Sequence, residues 1–238
     1  MKYVIHKASE RGIAEFGWLH SRHSFSFGEY YNPKKMGFGL LRVLNDDIIE
    51  AGEGFGTHPH NNMEIISIPF EGALEHKDSM GTGSVIKAGE IQVMSAGTGI
   101  THSEFNPSKV EDGKFLQLWI IPKERNIKPR YDQKRFNFDN LKNETITLVT
   151  GNKSESTLYI HQNAAVSFGK LDKENKLIYK NLYKGNGAYL FVLEGSINFE
   201  NNELGKRDAV GIFETDEFTI TASSNASFLI VEVPMSIN

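Results

Sequence analysis

The chain has no cysteine. Disulfides, thiolate metal sites and cysteine nucleophiles are excluded with it, and the absence fits a reducing compartment, so a cytoplasmic location is the expectation. No run of about 18 apolar residues occurs, and Met1–His6 has no apolar stretch resembling a signal peptide. The chain is therefore expected to use no membrane. Basic charge is not in excess either: 26 Lys and Arg stand against 30 Asp and Glu, a formal net charge of −4. The clustered positive surface that nucleic acid requires is missing, so nucleic acid is not an expected partner. Long amphipathic stretches are few, which argues against a helical fold.

Turn and strand chemistry is plentiful. The sequence has 22 Gly, and short runs rich in β-branched and aromatic residues recur along it. Glu64–Ile68, Ile91–Met94 and Phe115–Ile121 are such runs in the first half; Ala188–Leu193, Ala209–Phe213 and Phe228–Val233 are such runs in the second. On Phe115–Ile121, Phe115, Gln117 and Trp119 share one face, while Leu116, Leu118 and Ile120 share the other. Glu71-Gly72, Gly81-Thr82-Gly83 and Ala88-Gly89-Glu90 read as turns, and Asn45-Asp46-Asp47 reads as a polar turn, with a solvated position preferred over one near a metal. Strands this closely spaced indicate an all-β fold, a sandwich or barrel. The length of 238 residues suits two barrels of about 100 residues each.

A break falls where Pro122–Arg130 is polar, charged and bounded by prolines. The expected division is residues 1–125, a linker over 126–139, and residues 140–238. The halves echo one another weakly: Ile65–Gly72 and Tyr189–Gly195 are each an apolar strand closed by Glu-Gly.

Histidine carries the candidate chemistry. His58-Pro59-His60 sets two imidazoles at i and i+2, which on a strand share a face with Cα atoms roughly 6.5 Å apart. Rings leaning together from that spacing can meet a metal at about 2.1 Å. Pro59 points the other way and cannot donate to a ladder, so this strand belongs at an edge or a barrel mouth. His102-Ser103-Glu104 repeats the spacing with a carboxylate, after the Gly-rich turn Ala96–Gly99. Together the two pairs can supply three nitrogens and one oxygen to a divalent ion and leave coordination positions open.

These residues lie in motifs that resemble the cupin superfamily and, more closely, the pirin family. Gly54, His58-Pro59-His60, Glu64 and Gly72 follow the first cupin pattern, and Gly97–Asn106 follows the second. Ser21–Gly28, Met36–Gly39, Gly54–His60 and Met94–Asn106 look like bacterial quercetinase-type pirins. The likeness is specific over about residues 1–135 and thins beyond. It implies a bicupin of two face-to-face antiparallel β-barrels, with a metal in the N-terminal barrel only and a degenerate C-terminal one. The ligands it implies are His58, His60, His102 and Glu104. Many cupins use the Glu of the first motif, here Glu64. Spacing alone does not choose between the two; the resemblance chooses Glu104 and leaves Glu64 a supporting or structural role.

The resemblance further implies dioxygenase chemistry on flavonols such as quercetin, with dioxygen as co-substrate and carbon monoxide as product; from the site itself, Glu104 beside the metal is expected to act as general base. Iron(II) is the first choice of ion, and Zn, Co, Ni, Mn and Cu also suit the donor set. The alternative it carries is a non-enzymatic, metal- and redox-responsive regulator that acts by binding a protein partner. Two barrels that cover one another lead us to expect a monomer. Elsewhere, Arg22 and His23 with Phe25 and Phe27 read either as the lining of a pocket mouth or as an ordinary strand with both rings in the core. His76 reads as a surface residue, and His161 as structural.

Overall fold

The structure, a computed structural model, describes residues 1–236. Among them there are strands, one 3-10 turn (Ala8–Glu10) and no α-helix, hence no helix long and apolar enough to cross a membrane. The first strand is β1 (Lys2–His6). The larger sheet of the first half holds β2 (Gly12–Glu15), β3 (Leu19–His23), β4 (Leu41–Ile49), β6 (Glu64–Glu71), β9 (Glu90–Ser95), β11 (Gly113–Ile120) and β12 (Arg130–Arg135). The smaller sheet opposite holds β5 (Gly54–His60), β7 (Ala73–Asp78), β8 (Gly83–Lys87) and β10 (Ile100–Phe105).

The second half repeats the plan. Its strands are β13 (Glu144–Thr150), β14 (Leu158–Tyr159), β15 (Ala165–Leu171), β16 (Lys176–Lys180) and β17 (Gly187–Glu194). They continue with β18 (Ile197–Phe199), β19 (Asn202–Leu204), β20 (Ala209–Phe213), β21 (Glu217–Ala222) and β22 (Ala226–Val233). The large sheets run β12-β9-β6-β11-β4-β3-β2 and β1-β20-β17-β22-β15-β13-β14. The small ones run β5-β10-β7-β8 and β16-β21-β18-β19. The echo between Ile65–Gly72 and Tyr189–Gly195 is thereby explained, because β6 and β17 are the third strand of matching sheets. Each ends at a glycine with positive φ, 69° at Gly72 and 73° at Gly195.

The sheets do not follow the boundaries drawn from the sequence. β1 pairs with β20 of the second half, and β12, inside the segment read as a linker, pairs with β9 of the first. Each large sheet thus has one outer strand that lies beyond its own half in the sequence. β12 has the composition of a half-exposed outer strand, polar outward and apolar only where Tyr131 turns in, and Phe136 just after it is buried in the core between the halves.

The large sheets pack face to face. Leu116, Leu118 and Ile120 turn to the second half with Ile66 and Ile68, and meet Val166, Tyr189, Phe191 and Leu229 in one buried core. Each such side chain contributes about 1.5–3 kcal/mol by leaving water. At the rim of this core Asp46 takes Arg11 at 3.1 Å and Arg207 of the second half at 2.8 Å. Asn45-Asp46-Asp47 is therefore no turn. It lies within β4, where alternation sends Asp46 to the junction and its two neighbours inward. Asp46→Ala would leave two guanidinium groups, 10% and 17% exposed, facing each other without their shared anion. A loss of about 2–3 kcal/mol in urea unfolding is expected; a change under about 0.5 kcal/mol, the range of an ordinary surface substitution, would contradict this account.

Candidate metal centre

β5 is the outer strand of its small sheet, as Pro59 required, and lies against β10 with His58 opposite His102 and His60 opposite Ile100. A Cβ at Gly54 would fall 2.3 Å from the Glu104 carbonyl oxygen, so glycine there lets β5 seat against β10. Alternation then turns His102 and Glu104 into the barrel, both buried, with His58 and His60 half-buried beside them.

The three imidazoles form a triangle. Ring centroids are 4.5 Å apart for His58 and His102, 4.8 Å for His58 and His60, and 4.9 Å for His60 and His102. One nitrogen of each ring lies within 4.8 Å of the other two. Nδ1 of His58 donates to the Gly56 carbonyl at 2.8 Å, which leaves its Nε2 a free lone pair. Nε2 of His102 is buried with no partner among the described residues. Burial, reinforced by His58 and His60, pulls His102 down to about 2. Burial and His58 hold His60 at about 4. Both rings are therefore neutral near pH 7, the form that binds metal.

Glu104 is fixed on both oxygens. Gln117 Nε2 donates to Oε2 at 2.7 Å and Ser67 Oγ to Oε1 at 3.2 Å. Trp119 Nε1 donates to Gln117 Oε1 at 3.1 Å, which orients the amide so that its NH2 faces the carboxylate. Burial raises the Glu104 carboxyl, and the bonds from Gln117 and Ser67 act against that rise. One Glu104 oxygen lies within 4.8 Å of His102 and of His76, a second group that shares His102 with the first. The structure thus brings the three histidines together and sets Glu104 beside His102, without placing the carboxylate in the same group as His58 and His60.

His76 corrects the sequence reading: it is 0% exposed and packs behind His102. Its Nε2 lies 3.0 Å from Asp78 Oδ2 and its Nδ1 lies 3.3 Å from His102 Nδ1. A signal for this was present. Leu74, His76 and Asp78 alternate with Glu75 and Lys77, so the period of two put His76 on the apolar face.

Glu64 stands apart from the centre. On β6, Ser67 reaches Glu104 while Ile66 and Ile68 face the second half, so Glu64, on the parity of the latter pair, points away from the histidines. Ser95 Oγ donates to it at 2.7 Å, and burial pushes its carboxyl up to about 7. His161 sits at that junction against the Tyr159 ring.

A cavity of about 390 Å³ opens beside the triangle. Leu19, Phe27, Phe55 and Trp119 give it apolar walls, and His23, Asn45, Asp47 and Gln117 give it polar points. Both readings of the 22–27 segment hold in part: His23 and Phe27 line the cavity, Phe25 enters the core between the halves, and Arg22 pairs outside with Glu15. In the second half β16 and β21 occupy the places of β5 and β10. They turn Tyr179, Phe218 and Ile220 inward, into a barrel filled with apolar side chains.

Comparison with known proteins finds matches in both halves of the chain. Residues 6–120 match the pirin family model, and residues 147–233 match one described as the quercetinase C-terminal cupin domain. Quercetin 2,3-dioxygenase of Escherichia coli K12 is 41% identical over 230 residues, which cover 97% of this chain and 98% of that one. The chain belongs to the pirin family. The crystal structure of the bacterial pirin YhhW from E. coli in complex with nickel(II) matches with a TM-score of 0.92 at 39% identity. That match covers 98% of this pirin and 99% of YhhW. A quercetin 2,3-dioxygenase structure from Acinetobacter baumannii, 21% identical with a TM-score of 0.78 over 97% of this chain and 85% of that one, shares the fold. In this pirin the His58, His60 and His102 group and the His76, His102 and Glu104 group each have the spacing to hold a metal ion.

Asp47 supplies a test of the cavity's electrostatics. It accepts a bond from Ser21 Oγ, and burial lifts its carboxyl from 3.8 to about 7. Between those values the folded state binds the extra proton, so stability falls as pH rises through the window and levels off above about 7. In metal-free protein, Asp47→Asn is expected to gain on the wild type by roughly 1.4 kcal/mol per pH unit from about pH 4 to pH 7. Parallel stability curves in urea would show that the carboxyl is not held neutral.

Proposed function

We propose that this pirin is a metal-dependent quercetin 2,3-dioxygenase-like enzyme, cleaving flavonols with dioxygen and releasing carbon monoxide. His58, His60, His102 and Glu104 would hold one divalent ion, with iron(II) first and nickel, cobalt, manganese, copper and zinc as alternatives for the same donors. The observation that carries the reading is the buried, unpartnered Nε2 of His102 beside the imidazoles of His58 and His60, which line an apolar cavity. An unsatisfied buried nitrogen costs about 1–3 kcal/mol, and a cation offsets that cost. The name of the E. coli protein supports the choice of substrate class.

When bound, the ion would supply positive charge that lowers the pKa of a substrate hydroxyl. The remaining work falls to the chain. Leu19, Phe27, Phe55 and Trp119 receive a flat aromatic molecule and keep water from it. Glu104, in the same cavity, takes the proton of the substrate hydroxyl, and burial makes its carboxyl a better base than a solvated one. Gln117 and Ser67 hold the carboxylate in place while the proton moves. Asn45, Asp47 and His23 offer polar contacts to the other hydroxyl groups of such a substrate.

Protein loaded with each ion in turn and given quercetin under air should bleach the flavonol absorbance. No bleaching with Fe, Mn, Co, Ni and Cu alike would overturn the enzymatic reading. Glu104→Gln should lower turnover by about 10²-fold or more, the usual contribution of a general base. His102→Ala should lose the metal itself, read as a fall in bound ion per chain by elemental analysis. Retention of one ion per chain in that variant would remove His102 from the ligand set.

A further inference from the structure

We propose that His76 and Asp78 are positioning residues that select the metal-binding tautomer of His102. This rests on the reading of His102 as a ligand. A ligand nitrogen must be free of its proton, and in His102 the nitrogen without a protein partner is Nε2. The ring proton then sits on Nδ1, which lies 3.3 Å from Nδ1 of His76 and donates to it. His76 must in turn carry its proton on Nε2, and there Asp78 Oδ2 receives it at 3.0 Å. One carboxylate thus sets two tautomers in series, and the outcome is a lone pair on the far side of His102.

The pair is built to hold that arrangement. Asp78 and His76 side chains are both fully buried. The second oxygen of Asp78 accepts the backbone N–H groups of Met80 and Thr82 at 2.9 and 3.0 Å, so the carboxylate cannot turn away. The His76 ring lies against Tyr131, centroids 4.7 Å apart and planes 31° apart, and the Tyr131 hydroxyl donates to Gln133 at 2.9 Å. Both of these residues come from β12, the strand inside the apparent linker. The same bonds decide what His76 is not. With one nitrogen on Asp78 and the other on His102, it has no lone pair left for an ion, although it lies within 4.8 Å of His102 and Glu104.

The test compares full-length His76→Phe, His76→Gln and Asp78→Asn with the wild type by competition for cobalt(II) against a chelator. Visible spectra of the cobalt(II) forms and thermal midpoints of the metal-free proteins accompany it. His76→Phe keeps a ring against Tyr131 but offers no acceptor, and a 10–100-fold loss of affinity with a shifted cobalt spectrum is expected. His76→Gln restores an acceptor oxygen and should recover part of the affinity. Asp78→Asn should weaken binding in the same direction. Affinities and spectra matching the wild type in variants that fold would overturn the inference, as would losses confined to the thermal midpoint. Wild-type protein that takes up no cobalt would instead overturn the metal reading on which it stands.

Discussion

Crowding three imidazoles inside a barrel mouth is unfavourable unless something draws them together. Their centroids lie within 4.5–4.9 Å, and one nitrogen is buried without a partner. Desolvation keeps His60 and His102 from solving the problem by protonation, because the charged form is the more costly one in that setting. A divalent cation meets the same need with a single ion shared by all donors. The rest of the first barrel follows from holding those donors in register: a glycine where β5 meets β10, an oriented amide on Glu104, and an anchored carboxylate behind His76.

Alternation along strands does the sorting. On β11, odd residues from Phe115 to Trp119 serve the barrel interior, while Leu116, Leu118 and Ile120 cement the two halves. On β4 the same rule splits three adjacent polar residues between a cavity and an inter-half ion cluster. On β6 it separates Ser67, which touches Glu104, from Glu64, which does not. The second half keeps the scaffold and fills the matching interior with Tyr179, Phe218 and Ile220, so its contribution is to cover the first large sheet and to complete the fold through β1.

Much of this was legible from residues. The pairs His58/His60 and His102/Glu104 announce a shared face through their spacing, and Pro59 announces an outer strand. The choice of Glu104 over Glu64 came from family likeness, and parity on β6 accounts only for Glu64 facing away from the histidines. Other features were hidden for identifiable causes. Asn45-Asp46-Asp47 has the composition of a turn, and only the tertiary partners Arg11 and Arg207 explain an aspartate in mid-strand. His76 was only half hidden: the period of two on β7 placed it inward, but the charge of Glu75 beside it suggested solvent, and Tyr131, which covers it, arrives from 55 positions further along. The exchange of outer strands β1 and β12 leaves no local trace, because pairing between distant segments is a property of the whole topology.

The central claim is that three histidines and one glutamate converge on a single ion in the N-terminal barrel while His76 stays behind them. Anomalous diffraction from crystals loaded with one transition metal, collected at its absorption edge, tests this directly. The account predicts one peak at about 2.1 Å from nitrogens of His58, His60 and His102 and about 2.0–2.2 Å from a Glu104 oxygen. A peak ligated by His76, a peak in the second barrel, or a Glu104 carboxylate turned away from the ion would contradict it.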